Sequence, residues 1–203
     1  MASPRDPERT RARILRAAIA EFAAKGFAGA RVDAIAKRAR INKRMLYHYF
    51  GDKRGLFRAA ITSRLTGRHL AFLAAPEALE ERLPYHFAFM GQDSEWMRLL
   101  LWEALAYGER PTIAEEERRA ATLESIGRLR ETKKLAGDLD LQMGMLALFA
   151  LGSFPWAFPQ ITRFMTGENP SSERFQREYS KLLERIGVKL SAPAPLARTG
   201  ARR

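Results

Sequence analysis

The stretch INKRMLYHYFGDK, residues 41–53, has a composition that excludes both a buried strand and a core helix. It carries three Lys or Arg side chains, one histidine and two tyrosines against a single acid, Asp52. A buried element does not tolerate so many charges without partners. Leu46 and Phe50, four residues apart, would nevertheless lie on one face of a helix. We therefore expect a short helix with one face packed on a core and the other open to an anionic partner.

Charge is distributed unevenly along the 203-residue chain, whose net charge is +12. Residues 1–66 contain 16 Lys and Arg against 5 Asp and Glu, whereas residues 67–203 contain 19 against 18. A basic block beside a nearly neutral one is typical of a polyanion-binding module joined to a module with another task.

Several classes of protein are excluded by what the sequence lacks. It has no cysteine, which removes disulfides and thiolate metal sites and agrees with an intracellular protein. It has no Gly-x-Ser-x-Gly, no P-loop and no dinucleotide fingerprint, and its three histidines are too scattered for a ligand set. The longest apolar run, Met143 to Phe154, is shorter than the roughly 20 residues of a membrane span. We expect a cytoplasmic protein that is not an enzyme, with no metal, no cofactor and no membrane contact.

Helical periodicity fills the basic first third of the chain. Asn42 is a good N-cap for the helix in the opening stretch, and Asp52 is a good N-cap for the next one. Gly26 offers a stop for a long first helix. The predicted helices span residues 7–25, 32–39, 42–50 and 53–66.

Two short helices joined by a three- to four-residue turn, after a longer helix, form the pattern of a helix-turn-helix. In such a module the second short helix enters the major groove of DNA with its first residues at the base edges. Arg44 lies there, and its guanidinium can bind guanine O6 and N7 with two hydrogen bonds. Lys53, at the start of the next helix, and the Tyr47–Tyr49 segment would donate to phosphates.

The segments RILRAAIAEFAAKGF (13–27) and VDAIAKRARINKRMLYHYFGDKRGLF (32–57), with their spacing, resemble the N-terminal domain of tetracycline-repressor-like (TetR family) regulators. The resemblance covers roughly residues 11–58. It implies an all-helical homodimer, with three N-terminal helices on DNA and the remainder forming a ligand-binding and dimerisation domain. The positions that match the family's DNA contacts are Asn42, Lys43, Arg44, Tyr47, His48, Tyr49 and Lys53.

Two positions depart from the family pattern. The family usually has Thr or Ser at the start of the second helix, where Ala30 and Arg31 stand, so we expect Arg31 to supply a charge contact to DNA instead. Arg40 replaces a usual glycine in the turn and is expected to adopt a positive φ at a cost of about 1 kcal/mol or more. The consequence is either a looser turn or one more cation on the DNA backbone.

The larger C-terminal part is also predicted to be helical. Its helices are expected over residues 76–90, from 93 or 94 onward, 112–134, from 138 or 140 to 152, and 169–187. The helix after residue 93 is apolar on almost every side and is expected to be buried. Two prolines interrupt the apolar pattern between residues 152 and 170, where we expect irregular structure. The helices on either side of that segment form the predicted dimer surface.

Large apolar side chains are abundant in the C-terminal part, and most should form its core. A subset is predicted to line an apolar pocket for a small molecule. These residues are Phe87, Met90, Trp96, Trp102 and Trp156.

The sequence thus predicts an all-α protein with a helix-turn-helix domain (1–52), a ligand-binding and dimerisation domain (53–190, with 53–66 as a connecting helix) and a disordered tail (191–203). The expected function is a sequence-specific transcriptional regulator, a repressor released from a palindromic operator by a small-molecule effector. The alternative is a non-specific architectural DNA-binding protein. Because the excess of basic residues is concentrated in one module, the charge distribution favours the sequence-specific regulator over the architectural protein.

Overall fold

The computed structural model describes residues 6–131 and 140–191, except the side chains of residues 66, 67, 69–73 and 131. These residues form ten helices and no strand, which confirms the all-α prediction. In chain order the helices are α1 (Pro7–Gly29), α2 (Val32–Arg38), α3 (Lys43–Phe50), α4 (Lys53–Leu73), α5 (Leu79–Gly91), α6 (Ser94–Tyr107), α7 (Glu115–Glu131), α8 (Leu141–Ala157), α9 (Pro159–Thr166) and α10 (Glu173–Ser191).

The described residues form two compact units. Unit 1 comprises the chain up to Ala71 together with residues 93–119, and unit 2 comprises residues 72–92 and the chain from Ala120 onward. The predicted domain boundary at residue 52 is a division by function, and it stays a prediction.

The predicted N-caps of unit 1 are confirmed. Asn42 Oδ1 accepts from the Met45 N–H at 2.7 Å, and Asp52 Oδ1 accepts from the Gly55 N–H at 2.6 Å. Each bond satisfies a donor that the first helical turn leaves free. The N-terminal ends of α3 and α4 are therefore fixed by the residues that the sequence indicates.

One apolar cluster holds α1 to α4 together. Leu46 is fully buried, as the sequence predicts, in the same cluster as Ile35 and Phe22, and Phe50 packs against it. The rings of Phe22 and Phe57 meet edge to face with centroids 4.9 Å apart. The buried side of α3 is thereby fastened to α1, α2 and α4.

Two backbone features predicted from the sequence are present in unit 1. At Gly26 the helical geometry of α1 is broken, with φ 68° and ψ 179°, and one more turn follows to Gly29. Arg40 has a φ of 53°, in the left-handed region that the missing glycine predicts. The turn between α2 and α3 therefore carries backbone strain.

In unit 2, α8 and α10 pack against α5. Phe87 of α5 is almost fully buried and stacks on Trp156 with ring centroids 5.1 Å apart. Tyr179 of α10 meets the Phe87 ring edge-on at 5.0 Å. Burial raises the pKa of the Tyr179 hydroxyl, which donates to the Leu151 carbonyl at 2.9 Å.

Several predicted helix boundaries are wrong. α7 starts at Glu115 rather than at residue 112, and α10 continues to Ser191 rather than ending at residue 187. Residue 66 does not end α4, which continues to Leu73, because a glycine inside a helix costs only about 1 kcal/mol. Pro76 does not start α5, because the Arg82 guanidinium binds the Pro76 carbonyl at 2.8 Å and holds that segment outside the helix. Asn169 does not start α10, because its side chain accepts from the Ser171 N–H at 3.1 Å in a local turn.

The predicted irregular segment between residues 152 and 170 is also wrong, because α8 runs to Ala157 with Pro155 inside it and α9 follows. A proline inside a helix removes the N–H that would bind the carbonyl four residues earlier. That carbonyl belongs to Leu151, and the Tyr179 hydroxyl binds it instead. A side chain of α10 therefore satisfies the carbonyl that Pro155 leaves open.

The prediction that α6 is buried all round is wrong at its C-terminal end, where Leu105 is 78% exposed. Trp96, Met97 and Leu99 in its first half are buried. Ser191, the first residue of the predicted tail, is the last residue of α10. The predicted end of α7 near residue 134 and the remainder of the predicted tail lie outside the described residues. In residues 6–131 and 140–191 no single helix is long and apolar enough to cross a membrane, and α8 with α9 passes that test only as a pair bent by 87°.

Candidate nucleic-acid interface

The two sides of α3 differ in the way the sequence predicts. Leu46 is fully buried, whereas Asn42, Lys43 and Arg44 at the start of the helix are exposed. In the second turn His48 is also exposed, and Tyr47 is 38% exposed. The core-facing side thus holds the helix in place, while its N-terminal end offers two cations to solvent.

Lys43 forms an ion pair that the sequence does not reveal. Its ammonium lies 3.1 Å from the Asp33 carboxylate, which joins α3 to the first turn of α2. The hydrogen bond to Asp33 raises the pKa of Lys43, so this ammonium stays charged at neutral pH. Asp33 and Lys43 are ten residues apart on different helices, so no periodicity marks the pair. The ion pair links the N-terminal end of α3 to α2 at the surface, where such pairs contribute at most about 1 kcal/mol.

Arg44 makes no hydrogen bond or ion pair within the described part of the chain, and its side chain is exposed. By contrast, Tyr49 is half-buried and packs against the core of unit 1. The ring of Tyr49 also meets His48 edge-on, with centroids 5.8 Å apart. The guanidinium of Arg44 is therefore free to bind a base edge, whereas Tyr49 has a clear structural role as well as its predicted phosphate contact.

Lys53 joins the start of α4 to the end of α1. Its ammonium donates to the Ala28 carbonyl at 3.2 Å and lies 5.0 Å from the centroid of the Phe27 ring. An ammonium has three donors, so a phosphate can still be bound beside the Ala28 carbonyl. The predicted phosphate contact of Lys53 stays a prediction.

Arg31 is exposed next to α2, and its backbone N–H donates to the Glu21 carboxylate at 3.3 Å. Glu21 is buried and also pairs with the Lys25 ammonium at 3.3 Å. The Glu21 carboxylate binds the backbone N–H of Arg31. The Arg31 guanidinium is therefore left for another partner. No sequence pattern predicts this role of Glu21, since a carboxylate in an apolar helix stripe gives no indication of its partner.

Two side chains of α6 bind carbonyls of α1 just before its break at Gly26. Arg98 Nε donates to the Ala23 carbonyl at 2.6 Å, and Trp102 Nε1 donates to the same oxygen at 3.3 Å. Arg98 also donates to the Ala24 carbonyl at 3.2 Å. Carbonyls at the end of a helix need donors from outside it. α6 therefore caps the helix that supports the candidate interface.

The five predicted pocket residues are divided between the two units. Trp96 is buried in the core of unit 1, and Trp102 packs against α1 in the same unit. Phe87, Met90 and Trp156 belong to unit 2, where the Trp156 indole donates to the Phe87 carbonyl at 2.9 Å. The assignment of these residues to an effector pocket stays a prediction.

A short helix anchored by Leu46, with cations at its exposed N-terminal end and a preceding helix held to it by an ion pair, defines a helix-turn-helix DNA-binding protein. Residues 14–60 match the family model described as bacterial regulatory proteins, tetR family. The chain is also 32% identical over 166 residues, 80% of its length, to the HTH-type transcriptional repressor SCO4008 of Streptomyces coelicolor, of which it covers 86%. The chain therefore belongs to the TetR family of DNA-binding transcription regulators.

One further relative and two solved structures are also similar to this chain. The HTH-type transcriptional repressor NicS of Pseudomonas putida is 32% identical over 130 residues, 61% of each chain. The crystal structure of SCO4942 from Streptomyces coelicolor superposes with a TM-score of 0.73 at 25% identity and covers 87% of this chain and 97% of its own. Salmonella enterica GusR shares the fold with a TM-score of 0.70 at 21% identity, over 94% of this chain and 99% of its own. Family members bind DNA and typically act as dimers with small-molecule effectors.

Proposed function

We propose that this regulator is a transcriptional repressor that binds a palindromic operator as a homodimer and is released by a small-molecule effector. The exposed N-terminal end of α3, with Arg44 free and Lys43 fixed by Asp33, is the observation that carries the proposal. The names of the relatives SCO4008 and NicS support repression as the direction of control. Binding to chromosomal operators also fits the expected cytoplasmic location.

The exposed side of α8 supports the homodimer. Met143 is 61% exposed, Leu146 63% and Phe154 42%, and their spacing places them on one face of the helix. Apolar side chains in such a row are typical of a surface that another protein covers. A second copy of the chain is the partner that the family supports. Two DNA-binding domains joined in one dimer would then bind the two half-sites of an operator with far higher affinity than one domain binds one half-site.

The aromatic cluster of unit 2 supports an effector with apolar character. The rings of Trp156 and Tyr179 both lie against that of Phe87, with centroids 5.1 and 5.0 Å from it. A ligand that inserts between such rings would have to move α5 or α10. By linkage, the effector and the operator would weaken each other's binding by the same factor.

Selection of bound duplexes from a random library tests the proposed function. We expect a palindromic consensus whose half-sites lie about one helical turn, or a multiple of it, apart. A protein that recovers every sequence equally would instead be an architectural DNA-binding protein. That result would overturn the proposal without affecting the fold.

A further inference from the structure

Asp33 is the one acid in a strongly basic part of the chain. Residues 22–51, which span the end of α1 and all of α2 and α3, contain seven Lys and Arg side chains against this single carboxylate. The Asp33 side chain is 70% exposed, so it lies at the surface rather than in the core. Phosphates repel a carboxylate, and an acid in this position therefore lowers the affinity of a DNA-binding surface unless it has another task.

Both oxygens of the Asp33 carboxylate lie beside the Lys43 ammonium. The distances from Lys43 Nζ are 3.1 Å to Oδ1 and 3.3 Å to Oδ2. Lys43 is the first residue of α3, at the end of the helix that approaches base edges in a helix-turn-helix, and about half of its side chain is exposed. No residue in the described part of the chain pairs with Arg44, which follows it. One of the two cations at this end of α3 is therefore bound within the protein, and the other is open to DNA.

The ion pair has different consequences for random DNA and for an operator. In a complex with random DNA, phosphate contacts supply essentially all of the affinity, and a free ammonium at the end of α3 would add one more such contact. In an operator complex, base contacts fix α3 in the groove, with its first residues over base edges. A lysine bound by Asp33 is therefore removed from contacts that carry no sequence information, while the operator complex loses little.

We propose that Asp33 is a specificity-determining residue, which holds the Lys43 ammonium against α2 and so keeps it from the phosphates of non-operator DNA. Asp33 acts through Lys43 and needs no contact with DNA itself. An exposed ion pair is weak, so its effect on the affinity for random DNA is limited to about twofold to fivefold. This inference rests on the proposed function, because it requires that the protein has a preferred operator.

The test compares the full-length parent with Asp33→Asn on the selected operator and on a random duplex of the same length. On random DNA the variant should bind about twofold to fivefold more tightly, and the slope of log K against log salt should increase by about 0.9 per protomer, for one additional phosphate contact. On the operator both quantities should change less, so the preference for the operator should fall. Fluorescence anisotropy at several salt concentrations gives the affinities and the slopes.

A double-mutant cycle separates the ion pair from a general change in charge. In a Lys43→Gln background, Asp33→Asn should leave the slope on random DNA unchanged, because there is no ammonium to release. Glu109→Gln removes one exposed carboxylate of unit 1 outside α1 to α3 and should have no effect on either duplex. Asp33→Glu keeps the carboxylate and should keep the slope of the parent. Circular dichroism would confirm that all variants are folded.

Two results overturn the inference separately from the proposed function. Asp33 also lies in the first turn of α2, where a negative charge favours the helix dipole. If that is its only role, Asp33→Asn lowers the midpoint of urea denaturation and leaves the slope on random DNA unchanged. If the slope increases equally with and without Lys43, the carboxylate acts by general repulsion of DNA and not through the ion pair. A parent that prefers no sequence would instead contradict the proposed function.

Discussion

The indole ring of Trp102 occupies the space into which a side chain at Gly26 would extend. A Cβ atom at Gly26 would lie 2.7 Å from the indole Cδ2, closer than such contacts occur, and the φ of Gly26 is 68°. Glycine is therefore needed here for two independent reasons, one in the backbone and one in the packing. Gly26 breaks the helical geometry of α1, and side chains of α6 bind the Ala23 carbonyl just before that break.

Replacing Gly26 with alanine should lower the free energy of unfolding by roughly 2–6 kcal/mol. The backbone at φ 68° and ψ 179°, a region open essentially to glycine alone, contributes about 1–3 kcal/mol of this, and the overlap with Trp102 contributes about 1–3 kcal/mol. Urea denaturation gives the measurement. Gly108→Ala is a matched control, because Gly108 has a φ of 57° and a Cβ atom there would have no neighbour within 4 Å. Equal losses in the two variants would show that the indole contact has no energetic effect.

Arg40→Gly should stabilise the protein by about 1 kcal/mol. Arg40 has a φ of 53°, which costs an L-residue about 1–2 kcal/mol and costs glycine almost nothing, although glycine loses some of this gain through the entropy of the unfolded chain. The midpoint of urea denaturation should rise while its m-value stays constant. A second variant, Arg40→Ala, removes the cation but keeps the strain. If it stabilises the protein as much as glycine does, charge repulsion rather than φ is responsible.

The sequence predicts features that depend on neighbouring residues better than features that depend on residues far apart in the chain. The caps at Asn42 and Asp52 act within three residues of themselves, and both accept the predicted backbone N–H bonds. By contrast, the start of α5 depends on Arg82, whose guanidinium also binds the Ser125 hydroxyl 43 residues away at 2.9 Å. The continuation of α8 through Pro155 likewise depends on a hydroxyl from α10. Neither contact follows from spacing along the chain.

The same distinction applies to the candidate site. The exposed cations of α3 follow from helical period and capping, so Arg44 is predictable from the sequence alone. The ion pair of Lys43 with Asp33 and the contact of Lys53 with Phe27 join residues of different helices. Both contacts depend on the angles and positions at which the helices cross. The pattern of apolar residues along the chain does not define those angles.

Lys53→Gln should lower the slope of log K against log salt by about 1 per protomer for operator and random DNA alike, because one phosphate contact per protomer is lost. The unfolding free energy should also fall, by roughly 0.5–1.5 kcal/mol for the bond to the Ala28 carbonyl. Fluorescence anisotropy at several salt concentrations gives the slope. A stability loss with an unchanged slope would show that Lys53 has a structural role alone.

Leu146→Glu should convert the dimer to a monomer and weaken binding to the palindrome by about a hundredfold or more. Leu146 is 63% exposed on α8, and a carboxylate there would be buried without a partner in the proposed dimer. The loss of affinity follows from the lost linkage between half-sites. Sedimentation velocity measures the mass. Leu105→Glu is the control, because Leu105 is 78% exposed on α6, outside the proposed interface. A dimeric Leu146→Glu variant would contradict the assignment of α8.

Arg44→Ala should change which operator sequence is preferred more than how tightly DNA is held overall. Arg44 lies in the first turn of α3, where side chains reach base edges, and no residue in the described part of the chain binds its guanidinium. Loss of two hydrogen bonds to a guanine should cost roughly 1–3 kcal/mol on the preferred operator and relax selectivity at one base pair per half-site. Lys43→Ala is a suitable comparison, because Asp33 already holds that ammonium 3.1 Å away, and its loss should leave the base preference unchanged. Binding of both variants to a panel of single-base operator variants decides between the roles. If Arg44→Ala loses the same affinity on every member of the panel, its guanidinium binds phosphate and does not read a base.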